Sequence, residues 1–150
     1  MENQVLQCLF YLCLINRKRQ EKAAVAGLIP YLQRCIREES QLKQFALQMI
    51  CDLAHTSRAS RDLLWREMGL EFYISIISNP KDNHWHVVTF RSISAWLLSD
   101  NNTERVAELL VLPPNLDKII FLFCTARQAE FEKVVEELHR MMDKSLQLVK

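Results

Sequence analysis

Two clusters in this sequence contain residue types that could do chemistry. His84, Trp85 and His86 place two imidazoles near Asp82, a set that could hold a divalent cation if the carboxylate joined the rings. Histidines that share a metal on a helix lie four residues apart, so that both rings point one way. These lie two apart at a helix start, which favours a surface or capping role. Asp52, His55 and Ser57 or Ser60 bring an acid, a base and a nucleophile close in the chain. Such a triad is defined by geometry, and no strand-turn-helix elbow or Gly-x-Ser-x-Gly surrounds these serines. Asp52 and His55 are expected to end a helix beside its connection. The two glycines, Gly27 and Gly69, stand 42 residues apart, so no glycine-rich phosphate cradle can be built. The sequence therefore predicts no catalytic residue, no cofactor and no metal.

The elements that would position any site are helical. Leu6, Leu9, Phe10 and Cys13 form one stripe at steps of three and four. Leu42, Phe45, Ala46, Met49, Ile50 and Leu53 form a second, and Phe90, Ile93, Trp96 and Leu97 a third, at mutual offsets of 41 and 43 residues. A polar stretch follows each stripe, Asn16 to Lys22, His55 to Asp62 and Ser99 to Arg105, and reads as a connection. Then come Gly27-Leu28-Ile29-Pro30-Tyr31 and Gly69-Leu70-Glu71-Phe72-Tyr73, each opening a further helix. Proline is tolerated in a helix's first turn, and the glycine supplies either a special backbone conformation or a close approach. In the third unit Pro113-Pro114 replaces the glycine. Phe131, Val134, Val135, Leu138, Met141, Met142 and Leu146 predict a last, capping helix. A period of about 40 to 47 residues is that of armadillo and HEAT repeats. The expected fold is all-α, an armadillo/HEAT-like α-solenoid of about three repeats plus a C-terminal capping helix. Its units run over roughly 1–39, 40–80, 81–126 and 127–150 within one domain.

Composition agrees. A chain of 150 residues that is 49% hydrophobic, with two glycines, suits neither disorder nor a turn-rich β-sandwich. A net charge of +1 with mixed signs gives no footprint for nucleic acid or an anionic membrane. The apolar run from Val5 to Ile15 is interrupted, falls short of the roughly 20 residues that span a bilayer, and precedes rather than follows its basic residues. Five cysteines, odd in number and without a C-x-x-C pair, sit in apolar segments and read as buried reduced thiols of a cytoplasmic protein.

With chemistry absent, recognition is the expected function. Arg17, Lys18, Arg19, Arg58 and Arg61 fall in the first two connections, which stacking would bring to one basic edge suited to an acidic protein partner. Tyr31 and Tyr73 are equivalent by register, and with Arg34 and Arg37 they are placed on the second-helix faces that line a solenoid's concave surface. Trp85, beside a polar turn, is a candidate exposed anchor, whereas Trp96 belongs to the core and Trp65 is expected beneath a connection. An alternative is a homodimer or structural module formed through the apolar helix from Phe131 to Leu148.

Several stretches resemble the C-terminal armadillo region of fungal septation-initiation kinases, of the Ste-type, MAP-kinase-kinase-kinase-like group with plant relatives. They are Asn3-Gln4-Val5-Leu6-Gln7-Cys8-Leu9-Phe10-Tyr11-Leu12, Gly27-Leu28-Ile29-Pro30, Leu42-Lys43-Gln44-Phe45-Ala46-Leu47 and Cys51-Asp52-Leu53-Ala54. Leu64-Trp65, Gly69-Leu70 and Ala95-Trp96-Leu97 add to them, while Pro113-Pro114 and the last third match less well. The resemblance implies a non-catalytic part of a larger kinase, since no kinase glycine loop, His-Arg-Asp or Asp-Phe-Gly is present. It also implies a role in cytokinesis, and a Ras-like small GTPase or a spindle-pole scaffold as partner. Localisation would be cytoplasmic, at the spindle pole. It assigns no contact residues.

Overall fold

Short polar helices fill the places where the sequence suggests connections. The computed structural model describes residues 2–99, 103–125 and scattered positions between 132 and 143. The described residues are all-helical: α1 (Glu2–Cys13), α2 (Arg17–Val25), α3 (Leu28–Arg37), α4 (Lys43–Thr56), α5 (Arg58–Glu67), α6 (Gly69–Ile77), a 3-10 segment (Pro80–Trp85), α7 (His86–Ser99), α8 (Thr103–Leu110) and α9 (Pro113–Thr125). A long helix followed by two shorter ones thus occurs three times, α1–α3, α4–α6 and α7–α9. The capping helix expected over 127–150, with Phe131, Met141, Met142 and Leu148, falls almost wholly outside the described residues.

The correction at α2 and α5 has a local cause. Asn16 and Ser57 take extended backbone and act as N-caps, each side-chain oxygen accepting the backbone N–H three residues on, Arg19 at 3.0 Å and Ser60 at 3.2 Å. Both helices look like loops because each buries only two residues, Gln20 and Ala24 in α2, Ser60 and Leu64 in α5. Trp65 is accordingly a half-buried residue of α5. At the glycines the conformational reading holds: Gly27 has φ +92° with nothing near a notional Cβ, and Gly69 has φ +68°.

The chain divides into two compact units, Met1–Gly69 and Leu70–Lys150. In the first, α4 lies against α1, α2 and α3, and α2 lies against α5. Leu6, Ile29, Leu32, Ala46, Leu47, Ile50 and Leu53 are buried there, and Phe10 meets Phe45 edge-on at 5.2 Å. One buried side chain ties two helix ends to α2. Gln20 of α2 donates from Nε2 to the Cys13 carbonyl at the end of α1 (3.0 Å), while its Oε1 accepts the Thr56 hydroxyl at the end of α4. At the equivalent place 41 residues on, Arg61 donates to the Ala54 carbonyl at 3.3 Å.

In the second unit, Tyr73 of α6 packs edge-on against Trp96 of α7 at 4.9 Å, with Phe90, Ile93 and Leu97 also buried. Asn79 organises the turn before α7. Its amide donates to Asp82 at 2.9 Å, its Oδ1 accepts the Lys81 N–H at 3.1 Å, and its carbonyl accepts the Asp82 N–H at 3.0 Å. α9 does start at Pro113, where a missing N–H is harmless, and buried Asn115 donates to the Leu109 carbonyl at the end of α8 (2.8 Å). Among the described residues no helix is long and apolar enough to cross a membrane. Cys13, Cys35 and Cys51 are buried as expected, but Cys8 and Cys124 are exposed, a correction to the five buried thiols.

The Gln20 bridge is testable by a double-mutant cycle. Gln20→Ala leaves the Cys13 carbonyl and the Thr56 hydroxyl without this partner and should cost about 1–3 kcal/mol in urea unfolding. Thr56→Val in the Gln20→Ala background should cost clearly less than in the wild type, and full additivity would show that the pair is not coupled.

Candidate functional site

The two helix starts Asn16-Arg17 and Ser57-Arg58 form one edge of the first unit. Thr56, next to the second start, touches Gln20 in the second turn of α2, and α2 packs along α5. Arg17, Lys18 and Arg19 are exposed on α2, with Arg58 exposed and Arg61 half-buried on α5. The structure therefore brings these five residues to the same region. They are not all equally available. Arg19 donates from Nη1 to the Leu12 carbonyl (3.1 Å), Arg61 is held by Ala54, and Arg58 lies 4.0 Å from Asp62.

Helix electrostatics makes this arrangement unusual. The first turn of a helix carries a partial positive charge and favours acidic residues, by about 0.3–1 kcal/mol each. Neither α2 nor α5 has an acidic residue in its first turn, and α2 opens on three cations in succession. Helix stability does not account for that choice. Beside this edge lies a cleft of about 340 Å³ lined by Leu14, Ile15, Arg17, Gln20, Gln48, Asp52 and His55.

Asp52 is half-buried in the wall and accepts a hydrogen bond from Gln48 Nε2 at 2.8 Å. Burial raises its pKa above the ordinary carboxylate value, against the smaller lowering effects of Gln48 and His55. His55 lines this cleft but no serine does: Ser60 is fully buried, and Ser57 spends its oxygen on the N-cap. Asp52, His55 and these serines thus do not share a site.

The other candidates are dispersed. Arg34 lies over the half-buried Tyr31 ring at 5.2 Å, and Arg37 is exposed in the last turn of α3, where cations suit the helix end. Tyr73 is a correction: placed on a binding face by its register with Tyr31, it is fully buried against Trp96 and presents no surface. Trp85 is half-buried beside His84, ring centroids 5.6 Å apart. His86 is buried rather than on the surface, its Nε2 3.3 Å from the Asn79 carbonyl, and Asp82 is engaged by Asn79. Among the described residues no three His, Cys, Asp or Glu side chains group as metal ligands would. The Asp52 cleft and the Gln20 bridge were not foreseen from the sequence, whose N-cap signals at Asn16 and Ser57 mark only where α2 and α5 start.

Asp52 also makes a pH prediction. A carboxyl whose pKa is raised on folding binds its proton more tightly in the native state, so its contribution to stability falls as pH rises from 3.8 through the raised value. Asp52→Asn should therefore stabilise the protein at pH 7 and lose that advantage at pH 3, as read from urea midpoints. A destabilised variant at pH 7 would contradict the burial account.

No protein-family model matches the chain, and no solved structure matches it. Curated relatives do. The chain is 36% identical, over all 150 of its residues, to 11% of MAP3K epsilon protein kinase 1 of Arabidopsis thaliana. Over 147 residues, 95% of the chain, it is 35% identical to 10% of cytokinesis protein sepH of Emericella nidulans. Cell division control protein 7 of Schizosaccharomyces pombe is 29% identical over 141 residues, 94% of the chain and 13% of that protein. The chain spans about a tenth of the length of the curated relatives it matches. Nearly every part of it is thus similar to one stretch of fungal cytokinesis proteins and plant MAP3K epsilon kinases.

Proposed function

We propose that this chain is a non-catalytic protein-interaction module of a septation or cytokinesis signalling kinase. It is an armadillo-type α-solenoid that docks the kinase to a Ras-like small GTPase or a spindle-pole scaffold in the cytoplasm. The observation that carries the reading is the run of cations at the starts of α2 and α5, set against the helix dipoles. Residues that work against their own helix and stay at the surface serve a ligand of opposite charge. Arg17 and Lys18, followed by Arg58, present such a surface to an acidic protein face.

The recurrence of a long helix followed by two shorter ones, with equivalent caps at Asn16 and Ser57 and equivalent straps at Gln20 and Arg61, supports the repeat assignment. The names of the relatives, cytokinesis protein and MAP3K epsilon protein kinase, support the signalling context. Binding recruits the kinase by surface contact alone.

A pull-down of the septation GTPase, loaded with GTP or with GDP, tests this. The wild-type chain should retain the GTP form, less well as salt rises, and R17E/R58E should weaken retention at least about tenfold by removing two cations and adding two anions. Indifference to both loaded forms removes the GTPase as partner, and full binding by R17E/R58E removes the basic edge.

A further inference from the structure

The cleft beside the basic edge holds two opposite charges that do not meet. Arg17 lines it from the start of α2 and Asp52 from α4, and no ion pair joins them. Among the described residues the Arg17 guanidinium has no hydrogen-bond or ion-pair partner. Oδ1 of Asp52 accepts from Gln48 at 2.8 Å, whereas Oδ2 receives no donor from the described residues and is not sealed from the cleft.

The fold gains nothing from that carboxylate. Burial disfavours its charge, so an amide in its place would cost less at neutral pH. A half-buried carboxylate with one oxygen open in a cleft wall is suited to a cation that comes from outside. Repeat stacking does not supply one. α4 already has α1, α2 and α3 packed before it and α5 after it, yet Gln48, Asp52 and His55 still reach the cleft. In the same row of α1, 41 residues earlier, Gln7, Tyr11 and Leu14 stay exposed with α4 packed beside them. A unit that precedes leaves the row open on α4, and a unit that follows leaves it open on α1.

We propose, resting on the reading of this edge as a docking surface, that the cleft takes one basic side chain, arginine or lysine, from an otherwise acidic partner segment. Its cationic head reaches Oδ2 of Asp52 and the amide oxygen of Gln48, whose Nε2 is already spent on Asp52. Its aliphatic stem lies on Leu14 and Ile15, the apolar side of the cleft. The acidic residues beside it meet Arg17 and, along the edge, Lys18 and Arg58. A volume of about 340 Å³ suits one long side chain and the backbone that carries it, and is too small for a helix. The basic edge alone favours the most negative ligand, and Asp52 makes one cation within that ligand an advantage.

Two fluorescein-labelled, capped pentapeptides test this, four glutamates around a central arginine and four around a central norleucine, titrated against the chain by anisotropy at low salt. By net charge alone the norleucine peptide, the more negative of the two, binds a basic edge better. The arginine peptide should instead bind at least about fivefold tighter, and Asp52→Asn should abolish or reverse that order. Lys18→Glu and Arg58→Glu together, outside the cleft, should weaken both peptides and keep the preference for arginine. Equal or weaker binding of the arginine peptide by the wild type overturns the proposal, as does its failure to bind at millimolar concentration. A preference that survives Asp52→Asn overturns it too. Binding of both peptides that Lys18→Glu and Arg58→Glu leave unchanged is a different failure, because it removes the basic edge on which the proposal rests.

Discussion

Backbone groups at helix ends must find partners, and in the first unit two side chains of the short helices meet that demand for the long ones. Gln20 is the more consequential. Its amide takes the last carbonyl of α1 and its carbonyl takes the hydroxyl at the end of α4, so one residue of a polar helix holds two helix ends together. Arg61 repeats the first half of this with Ala54. A helix of nine residues with two buried side chains has little stability of its own, so α2 depends on these bonds and on its Asn16 cap as much as on burial.

The same dependence frees the rest of α2. With its inner side committed to Gln20 and Ala24, the outer side is open to residues chosen for other reasons, and three cations occupy its first turn. They sit where the helix dipole disfavours them and beside a cleft whose wall holds a half-buried Asp52. Structure and surface chemistry are thus divided within one short element. In the first unit α3 and α4 carry most of the core, and α2 and α5 present charge.

Much of the fold could be read from the chain because the long helices show their stripes plainly. Leu6, Phe10 and Cys13 and the later sets at their 41- and 43-residue offsets predict α1, α4 and α7, and the glycines predict the starts of α3 and α6. Amphipathic periodicity fails for α2 and α5, where polar Gln20 and Ser60 occupy inner positions and most other residues are charged or small. Their caps were legible in Asn16 and Ser57, had capping been weighed above hydrophobicity. At the site, the basic residues of the first two connections could be named from sequence. Tyr73 misled because register gives the position in a repeat and not the neighbour: Trp96 covers it. The Asp52 cleft depends on which side of a helix is covered, which a stripe alone does not tell.

The basic residues share one edge because α2 and α5 are true helices strapped to the long ones. Amide hydrogen exchange measures this directly. Residues 20–25 and 61–67 should exchange far more slowly than a free chain, with protection of 20–25 reduced in Gln20→Ala. Exchange at free-chain rates through both stretches would mean that they are loops, and would contradict the account.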